Sequence, residues 1–203
     1  TAPTGGALSH MLALAPDGRT AYTANMRSGT VSKVDLDDQR VVATAETGPV
    51  TEAIAVRPGT AEVWAASQED GRVVVLDGGT LEEVGALPVG GRPIRIGFTP
   101  DGTRALVTTV IGSELVVIDA AARERIGTVA LPNDPARANA AAASVPGGAS
   151  ALPIGVTTTP DGQTAYVALM GRDQVAEGDL GALTGKRGID TGANPDGIAY
   201  LPG

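Results

Sequence analysis

The chain has 203 residues, 42% of them hydrophobic but only 2% aromatic, and a formal net charge of −8 at pH 7. That balance excludes nucleic acid and anionic membrane surfaces as partners, since both need clustered Lys and Arg. The absence of cysteine excludes a disulfide framework, a thiolate metal site and a cysteine nucleophile.

No apolar run reaches the roughly 18 residues of a membrane span, so no membrane insertion is expected. The core has to be made of Val, Leu, Ile and Ala, while Gly 28 and Pro 14 point to many short strands joined by tight turns. Thirteen Arg against two Lys, with abundant Ala and Gly, suggests a GC-rich bacterial genome. The start Thr1-Ala2-Pro3-Thr4-Gly5-Gly6 reads as a mature or trimmed N-terminus, so a secreted, periplasmic or cell-surface location is the expectation.

Taken in order, a first strand is predicted near Ser9, followed by the turn Pro16-Asp17-Gly18 and strands over 21–25, 30–34 and 41–45. The same series recurs as 52–57, Pro58-Gly59, 62–66, 72–76 and 83–87, and again as 94–99, Pro100-Asp101-Gly102, 105–109, 114–118 and 126–130. A fourth series runs from Pro153 through Pro160-Asp161-Gly162, 165–169 and 174–178; a fifth first strand is predicted at 195–203, ending in Pro202-Gly203.

The turn prolines are 42, 42, 60 and 42 residues apart. Three further positions keep step with them. Asp35, Asp77, Asp119 and Asp179 lie 19 residues after their prolines, Tyr22, Trp64, Leu106 and Tyr166 lie 6 after, and Gly48, Gly90, Pro132 and Gly192 lie 32 after. A period near 42 residues with four strands per unit defines an all-β chain, a β-propeller of four-stranded antiparallel blades. The expected organisation is one propeller domain or propeller fragment over 1–203, with repeats of about 9–50, 51–92, 93–152, 153–194 and a partial 195–203. The recurrent aspartate is expected to accept backbone N–H bonds in a turn.

The runs Pro160-Asp161-Gly162-Gln163-Thr164-Ala165-Tyr166-Val167-Ala168 and Gly29-Thr30-Val31-Ser32-Lys33-Val34-Asp35-Leu36 resemble the YVTN-type β-propeller repeat of bacterial and archaeal, often exported, proteins. The resemblance covers nearly the whole chain. It implies the propeller fold, often with seven blades, and a relation to lactonase-like enzymes, a streptogramin lyase, amine dehydrogenase subunits and surface-layer proteins. It implies no catalytic motif that this chain carries.

Irregularities in the period indicate where function would sit. An insert at 132–151 adds 18 residues between two blades, on the face where propeller ligands bind. It reads either as a lid or binding loop with Asn133, Asp134, Arg137 and Asn139 as its polar groups, or as an Ala/Gly-rich excursion. In the fourth repeat the stretch 181–188 is rich in Gly, Lys and Arg, which predicts a weak outer edge. First strands number five but the other strands only four of each kind. The chain is therefore expected to be part of a longer propeller, to be completed by another chain, or to close as four blades with a displaced terminal strand.

Strand alternation places Ile54, Val56, Ile96 and Phe98 between sheets and Met11, Ala13, Ala53, Ala55, Arg95 and Gly97 toward a central channel. Arg57 and Arg95 either hold a carboxylate or phosphate of a small polar ligand or pair with a neighbouring acid such as Glu52. His10, Glu52 and Asp196 occupy one repeat position at the channel mouth. They form either a solvated lip or a cluster for metal binding or acid–base work; no cofactor is predicted, a divalent metal being the one they would admit. No Gly-x-Gly, Gly-x-Ser-x-Gly or calcium loop is present. The functional expectation is a non-catalytic binding or scaffold module whose partner is a protein or further blades of the same propeller. The alternative is a lactonase- or lyase-like enzyme acting at the channel mouth.

Overall fold

A computed structural model describes residues 2–145 and 150–201. It contains four antiparallel sheets of four strands each. Each sheet is a meander in sequence order. The first holds β1 (Ser9–Leu14), β2 (Thr20–Asn25), β3 (Thr30–Asp35) and β4 (Arg40–Glu46). The second holds β5 (Thr51–Val56), β6 (Glu62–Ser67), β7 (Arg72–Asp77) and β8 (Glu83–Pro88). β9 (Pro93–Phe98), β10 (Arg104–Thr109), β11 (Glu114–Asp119) and β12 (Glu124–Ala130) form the third. β13 (Pro153–Thr158), β14 (Thr164–Leu169), β15 (Gln174–Asp179) and β16 (Thr184–Asp190) form the fourth. These are the blades of a β-propeller, and every predicted internal strand is present within two residues of its expected bounds. The chain divides into two compact units, Thr1–Ile96 and Gly97–Gly203.

The turns explain why the period is so regular. Asp35, Asp77, Asp119 and Asp179 each turn Oδ1 onto the backbone N–H groups two and three residues on, at 2.8–2.9 Å. This satisfies donors that the turn from third to fourth strand leaves outside the ladder. The Pro-Asp-Gly aspartates do the same before the second strand, Asp17 taking the Arg19 N–H at 2.8 Å and Asp101 and Asp161 taking those of Thr103 and Gln163 at 3.0 Å. In the second repeat, which has no aspartate there, Thr60 Oγ1 takes the Glu62 N–H at 3.2 Å.

At five of these aspartates the bonds favour the ionised carboxylate. The carboxyls of Asp17, Asp77 and Asp179 are held below the usual range first by the N–H groups of Arg19, Thr80 and Ala182, and those of Asp101 and Asp161 first by the hydroxyls of Thr99 and Thr159. A folded value below the unfolded one gives stability that is complete above the unfolded pKa of about 3.9 and is lost as pH falls through the folded value. Urea midpoints are therefore expected to hold from neutral pH down to about pH 5 and to fall progressively from about pH 4. Asp77→Asn should shrink that fall; an acid limb of the same depth in the variant would show that the turn is not its source.

In the first unit the core lies between the first two sheets. Met11, Ala13, Tyr22, Ala24 and Val31 of one meet Ile54, Val63, Ala65, Val74 and Leu76 of the other. Tyr22 reaches across to donate its hydroxyl to Gly78 O at 2.7 Å, and a Cβ at Gly78 would come within 2.2 Å of Ala61 O. This corrects the expectation that Met11 and Ala13 face a channel. In stacked blades both faces of a strand point at neighbouring sheets, so alternation separates two sheet-to-sheet interfaces rather than core from channel. The second unit has its own core of Leu106, Leu115, Val117, Val129, Val167, Leu169 and Leu180.

Two further differences are informative. The stretch expected to be a weak edge forms β16, a full strand paired to β15 although nearly all exposed. Backbone pairing is joined there by a cross-strand ion pair, Arg187 Nε to Glu177 Oε2 at 2.8 Å. Residues 195–201 carry no strand. They run beside β13 with one bond, Gly155 N–H to Asp196 O at 3.1 Å, and Tyr200 stacks on Tyr166 with ring centres 6.5 Å apart. The turn Pro202-Gly203 lies outside the described residues.

Candidate functional site

The first strands begin with a repeated irregularity. Leu8, Val50, Arg92, Leu152 and Asn194, one per repeat, all take φ between 49° and 57° just before the first-strand position. In the first unit the strand pairing then skips one residue. Ser9 pairs with Asn25 and Met11 with Ala24, and Thr51 pairs with Ser67 and Ala53 with Ala66. His10 and Glu52 are the extra residues. A bulge bends the strand and re-aims the side chain it carries, so these two positions leave the alternation that orders the rest of their strands.

Glu52 is buried, with 7% of its side chain exposed, and both of its oxygens are engaged. Oε1 accepts from Arg95 Nη1 at 2.6 Å and lies 3.6 Å from Nδ1 of His10, whose side chain is 43% exposed. Oε2 accepts a short bond from Gln68 Nε2. Because that amide nitrogen faces the carboxylate, Gln68 Oε1 faces the other way and accepts from Arg92 Nη2 at 3.1 Å. Arg95 Nη1 also donates to Ile94 O at 2.8 Å. Five side chains from the two bulges, the β6–β7 turn and the segment entering β9 thus make one connected network in the first unit.

Of the residues expected from the sequence, the network unites His10, Glu52 and Arg95. Arg57 does not join it. Its Nη1 pairs with Glu62 Oε2 at 3.0 Å beside the Trp64 Nε1–H bond to the same oxygen, and five residues of extended strand put it about 17 Å from Glu52 along the chain. Asp196, in the second unit, accepts the Gly155 N–H through its carbonyl. Among the described residues no three His, Asp or Glu side chains are grouped as a metal site requires, so His10 and Glu52 stand as a pair.

The polar groups of the insert are committed within the second unit. Asp134 caps the 3-10 turn Pro135–Arg137 through the Ala136 N–H at 2.9 Å. Asn133 Oδ1 accepts from the buried Arg172, whose pKa is lowered by burial and partly restored by the charge of Asp134. Arg137 Nη1 meets Asp190 Oδ1 at 2.8 Å. Asn139 caps α1 (Ala140–Ala143) and donates to Met170 O and Asp173 Oδ1, each at 2.7 Å. These bonds clamp the insert to the fourth sheet. Residues 146–149 of the insert lie outside the described residues.

Gln68 and Arg92 were not singled out from the sequence. The signal was present in the repeat: Met26, Val110 and Met170 occupy the position of Gln68, and Leu8, Val50 and Leu152 that of Arg92.

Fold and site together define a β-propeller with a polar cluster at the bulged strand ends. Comparison with known proteins agrees with the fold. Residues 1–95 match the Cytochrome D1 heme domain family. The hydrazine synthase of Kuenenia stuttgartiensis superposes with a TM-score of 0.76 at 24% identity, over 92% of this chain and 50% of that one. The Cps50 (Swd1) β-propeller domain of Myceliophteria thermophila superposes with a TM-score of 0.71 at 11% identity, over 93% of this chain and 57% of that one. The chain therefore spans about half the length of these structures. No curated protein matches its sequence.

Proposed function

We propose that the chain is the binding or scaffold part of a β-propeller of the YVTN-repeat type, acting through the loop face on which His10, Glu52, Gln68, Arg92 and Arg95 meet. The observation that carries this reading is the engagement of Glu52. With Oε1 on Arg95 and Oε2 on Gln68, the carboxylate is an anchor that orders its neighbours and not a base awaiting a proton.

A second surface, for further blades of the same propeller, is the outward face of the first sheet. Leu12 and Leu14, 62% and 55% exposed, stand at the repeat positions of Ile54 and Val56, which pack against the first sheet. The chemistry that fits is the small, apolar face of another blade, the counterpart of Met11, Ala13 and Ala24.

One observation favours a second reading, a lactonase- or lyase-like enzyme: an imidazole 3.6 Å from a buried carboxylate is the pair that general-base chemistry uses. Incubation with a panel of lactones, followed by acid release, separates the two. No turnover, with a saturable thermal shift from a small ligand, supports the binding module. Turnover abolished in His10→Ala, or a stoichiometric divalent ion lost in that variant, would replace it with the enzyme.

A further inference from the structure

We infer that the loop face of the first unit holds a subsite for a small carboxylate, gripped by Arg92 and His10 and kept in register by Glu52, Gln68 and Arg95. This deepens the binding reading and rests on it.

The first support is that the fold does not need these side chains. At the position of Glu52 the other repeats carry Ile94 and Ile154 as well as His10 and Asp196; at that of Gln68 they carry Met26, Val110 and Met170. At that of Arg92 stand Leu8, Val50, Leu152 and Asn194, and at that of Arg95 stand Met11, Ala53, Gly155 and Gly197. Four polar groups therefore replace mainly apolar or small ones together, and they meet. Glu52 and Gln68 are each only 5% exposed, a burial that is unfavourable for polar groups unless they are bonded. A repeat that builds the same strand end from Ile and Met has no structural reason to make that exchange.

The second support is charge. In a chain of net charge −8 this cluster sums to +1, two arginines against one glutamate, and to +2 when His10 is protonated. Arg92 is exposed and uses only Nη2 within the described residues. Its remaining N–H edge is an outward donor, and His10, whose Nδ1 side faces Glu52, adds an outward Nε2–H when its ring is protonated. A guanidinium edge and an imidazole N–H match the two oxygens of a carboxylate. The buried Glu52 beneath them makes a dianion such as phosphate less favourable than a monoanion.

His10 is the sole histidine, so its imidazole NMR signals report this site without ambiguity. Acetate and formate are expected to shift them saturably, with a dissociation constant on the order of 1 mM and binding about tenfold weaker in Arg92→Gln. The rest of the amide spectrum of that variant should be unchanged, which separates a lost donor from a lost fold. A response equal to that of sodium chloride, tighter binding of inorganic phosphate than of acetate, or an undiminished response in Arg92→Gln overturns the carboxylate subsite. A saturable shift from glycerol but not from acetate overturns the ligand class while leaving the binding module standing. No saturable shift from either counts against both.

Discussion

Glu52→Ala is expected to lower the unfolding free energy by about 3–5 kcal/mol, the usual cost of removing one partner of a buried ion pair. The side chain of Arg95 is 13% exposed and loses the carboxylate 2.6 Å from its Nη1, while Gln68 loses its acceptor. Water reaches neither group freely, so neither recovers the full hydration that would offset the loss. For a chain of this length about 1 kcal/mol corresponds to roughly 2–4 °C in Tm, so calorimetry should register a drop of about 10 °C. The companion variant is the sharper measurement. Glu52→Ile, Gln68→Met, Arg92→Leu and Arg95→Ala together install residues that the chain already uses at those positions, and a buried ion pair replaced whole by apolar groups is commonly neutral or stabilising. The fourfold variant should therefore unfold within about 1 kcal/mol of the parent or above it, with the carboxylate response of His10 abolished. If it were as unstable as Glu52→Ala, the cluster would be part of the framework and its role as a ligand site would lose its main support.

Leu106→Ala should cost about 2–5 kcal/mol, read from urea midpoints at constant slope. Leu106 is fully buried and packs with Leu115, Val117, Val129 and Val167 in the core of the second unit. Both sheets around it are held by their own ladders, so the space left by three carbons stays largely open instead of collapsing. Ile126, on the outer strand of the same sheet and 46% exposed, is the control. Its alanine variant should lie within about 0.5 kcal/mol of the parent. Equal effects at the two positions would mean that the repeat's large apolar position does not mark the core.

The contrast between Leu106 and Glu52 reflects what a single sequence exposes. Leu106 belongs to a recurring series with Tyr22, Trp64 and Tyr166, and its burial follows from period and polarity alone. The insert was equally visible as an interruption of the period, yet its function in the unit was not. Asn133, Asp134, Arg137 and Asn139 look like ligand-binding groups in a list of residues. Folded, Asn133, Arg137 and Asn139 find Arg172, Asp190, Met170 and Asp173 tens of residues away, and Asp134 caps its own turn. Arg57 shows the same limit at shorter range, since Glu62 across the turn captures it before Glu52 can.

The period of 42, the four blades, the strand bounds and the aspartate turns were all legible in the amino-acid order. Each is set by local preference: β-branched runs pair, Pro-Asp-Gly turns, and a short carboxylate satisfies the N–H groups beside it. What only the tertiary structure decided is which polar side chains meet. Glu52, Gln68, Arg92 and Arg95 are joined across separations of 16, 24 and 43 residues. Whether they touch depends on a one-residue bulge that turns Glu52 out of the strand's alternation and on the left-handed backbone that presents Arg92. Those displacements of a residue or less leave the hydrophobic pattern intact, so the pattern does not reveal them, and they decide where the charge lies.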